Sequence, residues 1–351
     1  MIARRLLPTL LVAALLTAFG TGNARAQEPA FTCPKGMTVE IVAACQRPNR
    51  TPIASRGRPQ GSTDVDLSVA YDQDKRVEYY DSDAKQSRAQ LAAAVAILKK
   101  DLIKPTAGGK HQLRGVKNLR ATYGICCDGK FLEQPAAGHC SGVLVSKQPP
   151  IVLTASHCFR DGPEPSKVRF VLGFGILTEG QDMFAPFDAA ICTAIPDRIV
   201  SRGAWSLVPL ECPNGAPLPD PPMIDEPGAI RVTHEVFAAG FPQGLPVKLA
   251  PKGRIKKLEA ANGENVSFIA TLDVFFGSSG SGVYRESQSD GKTMLVGILD
   301  RGLHDYEEVK MNGFRCQRTC VVDTVRFPSD GESVIAITRG LLDELKGLNG
   351  P

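Results

Sequence analysis

From Gly115 onward, Gly and Pro cut the chain into short β-forming runs, and this rhythm restricts the fold more than any other feature of the sequence. The runs cover 142–145, 151–155, 168–172, 199–210, 232–239, 267–276, 294–299 and 333–337. Many short strands separated by turn signals predict an all-β sandwich or barrel. The Pro-rich stretch 212–227 divides them into two similar halves, as a linker between two barrels does. The expected organisation is a first barrel over 113–215, then a second over 216–351 that finishes with a helix over 337–348.

The preceding segment, 27–112, has a different texture and is expected to be a partly helical N-terminal extension or propeptide. Leu91, Val95, Leu98 and Leu102 fall on one helical face, which predicts a helix over 87–102 ended by Pro105 and Gly108-Gly109. Residues 1–26 have the form of a secretory signal peptide. Arg4 and Arg5 precede an apolar run from Leu6 to Phe19, and Ala24-Arg25-Ala26 offers a small-residue cleavage site. No second apolar run of that kind follows, so the mature product is expected outside the cell or in the periplasm, without a membrane anchor.

The formal net charge of +4 falls close to neutrality once Arg4, Arg5 and Arg25 leave with the signal, so nucleic acid is not an expected partner. Ten cysteines in an exported chain favour disulfides over metal thiolates. Adjacent Cys126 and Cys127 are expected to pair elsewhere, while Cys316 and Cys320 are spaced to close a small loop. No spacing forms a convincing zinc site, and neither metal nor cofactor is expected.

Two segments carry the chemistry. Thr154-Ala155-Ser156-His157-Cys158 puts a histidine directly after an apolar strand, and Gly277-Ser278-Ser279-Gly280-Ser281-Gly282 follows another. In this order and at this separation they resemble the chymotrypsin-fold (trypsin-like) serine peptidases, especially the secreted bacterial branch related to glutamyl endopeptidase-like enzymes. Cys140-Ser141-Gly142-Val143-Leu144 and Gly297-Ile298-Leu299 belong to the same likeness, which runs from about Gly115 to the C-terminus. It implies two six-stranded antiparallel barrels with a cleft between them and a disulfide from Cys140 to Cys158. It also implies a polypeptide substrate, His157 as general base and Ser279 as nucleophile. A serine hydroxyl attacks well only when a base takes its proton, and imidazole suits that work near neutral pH. Glycine at 277 permits the bend that turns the amides of Gly277 and Ser279 toward a developing oxyanion.

The third residue of such a site, an Asp behind the histidine, is missing from its usual place. The corresponding segment reads Ala204-Trp205-Ser206-Leu207, with alanine where the carboxylate belongs. Asp188, Asp197 and Asp300 are the candidate replacements, and Asp300 is the specific one. It follows Gly297-Ile298-Leu299, where many relatives have a serine that touches the triad Asp. The alternatives are a plain ion pair between Asp300 and Arg301, and a chain that has lost its chemistry and binds polypeptide through the old cleft. Ser278 stands where many animal relatives carry an Asp that pairs with a newly cut amino terminus, so that switch is not expected. Asp273, six residues before Ser279, is expected at the base of the substrate pocket, favouring Lys or Arg. Leu299 stands where glutamyl-specific relatives have histidine.

Overall fold

Six strands close the first barrel: β1 (Ala94–Lys99), β2 (Gly138–Lys147), β3 (Pro150–Ala155), β4 (Val168–Leu172), β5 (Ala190–Ala194) and β6 (Trp205–Glu211). Their order is β5-β4-β1-β2-β3-β6, and Thr193 and Ala194 of β5 pair back onto Glu211 and Leu210 of β6. The second barrel consists of β7 (Glu235–Gly240), β8 (Lys248–Ala261), β9 (Glu264–Ala270), β10 (Gly282–Glu286), β11 (Thr293–Arg301) and β12 (Glu332–Ala336). Its order is β11-β10-β7-β8-β9-β12, closed by pairing of Gly297 and Ile298 with Ala336 and Ile335. Each closure satisfies the edge strands that an open sheet would expose. The computed structural model describes residues 39–43 and 70–350, apart from 72, 262, 288–289, 303–304, 312–313 and 323–330. The expected signal peptide lies outside the described residues.

The helix expected over 87–102 is corrected. Only Arg88–Ala93 is helical, and the chain then becomes β1, which pairs with both β2 and β4. The cause is burial on both faces. Ala94, Ala96 and Leu98 enter a core cluster shared by the two barrels, while Val95 and Ile97 enter one built from first-barrel residues. A strand buried on both sides has no polar alternation, and its apolar run also satisfies a helical period. The segment expected as an extension over 27–112 therefore supplies one wall of the first barrel, which begins before residue 113.

The run 199–210 is a hairpin of Val200–Arg202 and β6 turned at Gly203, rather than one strand. The linker 212–227 is tied at both ends. Cys212 is bonded to Cys192 on β5, and Met223–Ile224 pairs in parallel with β11. The C-terminal helix forms over Arg339–Asn349. Thr338 caps it by accepting from the Leu341 amide, and Leu341 and Leu345 enter the cluster shared by the barrels. The small Cys316–Cys320 loop is overturned, because Cys316 is bonded to Cys126 while Cys127 and Cys320 are disulfide-bonded as well. Among the described residues no helix is long and apolar enough to cross a membrane.

Candidate active site

His157 opens a one-turn helix, His157–Arg160, immediately after β3. Four ties fix this corner. Ser156 donates its amide to the Ala204 carbonyl at 2.8 Å and its hydroxyl to the Gly203 carbonyl at 2.8 Å. Thr154 Oγ1 donates to the Ser141 carbonyl at 2.7 Å, and Cys158 is bonded to Cys140 on β2. The two sulfurs and a His157 ring nitrogen form a group of metal-binding size. Both sulfurs are consumed in the disulfide, so no thiolate is offered.

The turn between β9 and β10 carries Ser279. Its glycines are required by geometry. Gly277 has φ +85°, and Gly280 has φ +86° with a Cβ position only 2.1 Å from the Ser141 carbonyl oxygen. Ser141, on β2 of the other barrel, clasps this turn twice. Its amide donates to the Ser279 carbonyl and its hydroxyl to the Gly277 carbonyl, each at 2.8 Å. Ser141 is a site residue that sequence reasoning quoted within a motif but gave no role, since only the long-range contact reveals it.

The structure brings His157, Ser279 and Asp300 together. His157 Nδ1 lies 3.3 Å from Asp300 Oδ1, with the two side chains 10% and 17% exposed. Ser279 Oγ donates to the Asp300 backbone carbonyl at 3.2 Å. Arg301 Nε is 3.8 Å from the other carboxylate oxygen, so Asp300 meets both its expected partners, with histidine the nearer. The other two candidates lie elsewhere. Asp188 is 85% exposed and pairs with Lys110, and Asp197 sits exposed in the turn Pro196–Arg198.

The amides of Gly277 and Ser279 are set by the peptides to which they belong. In a trans peptide the N–H points opposite to the C=O. The Phe276 carbonyl accepts from the Gln243 amide, and the Ser278 carbonyl accepts from the Ser281 amide at 2.8 Å. Each bond fixes its peptide plane, leaving the N–H of the next residue directed away from that acceptor.

Asp273 is the principal correction at the site. It is 3% exposed, and its two carboxylate oxygens accept the amides of Tyr71 at 2.7 Å and Lys75 at 2.8 Å. The carboxylate thus anchors an N-terminal segment and is not laid out as the open base of a substrate pocket. Burial pushes its pKa up to about 6, against the opposing pull of the two amides. A raised folded-state pKa contributes stability below the unfolded value of 3.8, and that contribution disappears as pH rises through about 6. Between pH 4 and pH 7 wild type is expected to lose about 2 kcal/mol from this group. Denaturant unfolding of wild type and Asp273→Ser at both pH values checks it, the loss being absent from the variant.

Comparison with curated proteins finds no match. Residues 140–298 match the family model of the trypsin-like peptidase domain, a span that includes His157 and Ser279 and ends two residues before Asp300. The two closed six-stranded barrels give the chain a chymotrypsin-like fold, and residues 140–298 within it are similar to the trypsin-like peptidase domain.

Proposed function

We propose that the protein is an exported serine endopeptidase whose triad is His157, Asp300 and Ser279, the carboxylate coming from the end of β11 in place of Ala204. The observation that carries this reading is the convergence on Asp300, with its carboxylate at the histidine and its carbonyl at the serine hydroxyl. A carboxylate facing Nδ1 holds the proton there and leaves Nε2, across the ring, as the base. The mechanism requires the Ser279 hydroxyl, held at the Asp300 carbonyl in this structure, to turn about its Cα–Cβ bond onto that nitrogen.

Ser279 Oγ then attacks the peptide carbonyl as His157 Nε2 takes its proton, and Asp300 stabilises the imidazolium formed. The amides of Gly277 and Ser279 receive the oxyanion. The imidazolium protonates the leaving amine, and water hydrolyses the acyl-enzyme by the same route in reverse. Export is supported by the leader-like residues 1–26 and the disulfides. Placement in the secreted bacterial branch rests on the motif order and on the spacing, Ala204 lying 47 residues after His157 and 75 before Ser279. Leu299 at the position of the glutamyl-selecting histidine argues against glutamate preference, and Asp273 gives no support to a basic one.

An active-site phosphonate tests the reading. Covalent labelling of wild type that maps to Ser279 and vanishes in Ser279→Ala supports the hydrolase. A folded wild type that resists labelling rejects it in favour of a polypeptide-binding protein.

A further inference from the structure

The segment 70–78 lies far from the site in sequence, yet it is built into the loop that carries the oxyanion amides. Tyr71 and Lys75 donate their amides to Asp273 of that loop, and the Tyr71 hydroxyl donates to Glu332 Oε1 at 2.9 Å. Val77–Glu78 adds a short strand to β8, with Lys248 Nζ 3.0 Å from Glu78 Oε2.

At the centre is Arg76, whose side chain is 2% exposed. Its fork donates to Asp74 from Nε at 2.9 Å and from Nη2 at 2.7 Å. Its guanidinium carbon lies 3.7 Å from the centroid of the Phe275 ring. The remaining arm, Nη1, donates to Gln243 Oε1 at 2.9 Å. Gln243 holds a left-handed backbone, φ +58°, costly for a residue with a side chain, and in that conformation its amide donates to the Phe276 carbonyl. The Phe276 amide donates to Asp305 Oδ2 at 2.9 Å, so neighbouring polar groups hold Phe276 from both sides.

We propose that Arg76 is a positioning residue for the oxyanion site: acting through Gln243 and Phe275, it keeps the Phe276–Gly277 peptide turned with its N–H toward the reacting carbonyl. The segment 70–78 is then a permanent internal brace of the enzyme, and removing it disables the site. This rests on the reading of Ser279 as nucleophile, but the brace itself can be observed without turnover.

Native-state hydrogen exchange of the full-length wild type under rising denaturant tests the brace directly. Residues 70–78 and 272–279 are expected to open in one step, and independent opening overturns the proposal. Two variants test its catalytic consequence. Arg76→Met with Asp74→Asn removes both charges, so no buried carboxylate is left unpaired. Gln243→Met breaks the link while keeping the ion pair. In each, exchange at 276–279 is expected to rise, and kcat on a peptide ester to fall about 100-fold with KM nearly unchanged, the signature of a lost transition-state donor. Arg76→Lys, which lacks the planar fork, does not restore kcat. Folded variants with wild-type exchange and wild-type kcat overturn the proposal. Joint opening in a wild type that neither turns over nor takes the phosphonate keeps the brace and removes the hydrolase reading instead.

Discussion

Replacing Asp300 by alanine is expected to lower turnover about 10⁴-fold while leaving the fold intact. The magnitude follows from the role. Without a carboxylate at Nδ1 the imidazole is free to choose the wrong tautomer, and the imidazolium formed in the transition state has no counter-charge. The fold should survive because Asp300 sits at the rim of the site, 17% exposed, at an irregularity in β11 where Leu299 and Arg301 on either side make the pairing with β12. Asp300→Asn is expected to fail nearly as badly, since an amide presents the right shape with the wrong charge. Asp188→Ala and Asp197→Ala are expected to leave turnover unchanged, both groups being exposed and Asp188 facing Lys110. Steady-state kinetics on one peptide substrate compares all four variants. Loss of activity in Asp197→Ala together with a fully active Asp300→Ala reverses the assignment.

Ser279→Ala is expected to have the largest effect, about 10⁶-fold on kcat. Members of a triad act as a unit, so the second removal costs little once the first has been made. The double variant Ser279→Ala with Asp300→Ala should therefore be no slower than Ser279→Ala alone. If the two losses multiplied, Asp300 would be acting outside the unit. Substrate binding by Ser279→Ala should be preserved, because the Gly277 and Gly280 backbone and the Ser141 clasp do not involve the hydroxyl.

Much of this arrangement is legible from the sequence because it is local. The strand before His157, the glycine turn at 277–282 and the strand ending at Asp300 each announce themselves within a few residues. Asp300 could be singled out because Ala204 left the usual place without a carboxylate, and the structure puts it beside His157. What was not legible is set by partners remote in sequence. Asp273 lies at a pocket-like position, but its oxygens are taken by amides some 200 residues earlier in the chain. Cys316 passes over nearby Cys320 and bonds to Cys126, a pairing that no spacing reveals. Nothing local in Asp74-Lys75-Arg76 sets Arg76 apart, and only the structure shows it buried over Phe275. Strand β8 escaped notice because Pro251 and Gly253 interrupt it, and it accommodates them with register shifts and with Lys252 at φ +58°.

The central claim concerns a single proton, the one between His157 Nδ1 and the Asp300 carboxylate. Proton NMR of the full-length protein at low temperature, with His157→Gln to assign the signal, reads it directly. A strongly downfield ring resonance present in wild type, retained in Asp188→Ala and Asp197→Ala and absent from Asp300→Ala is the expected result. Persistence of that resonance in Asp300→Ala would show that a different carboxylate stands behind the histidine and would contradict the account.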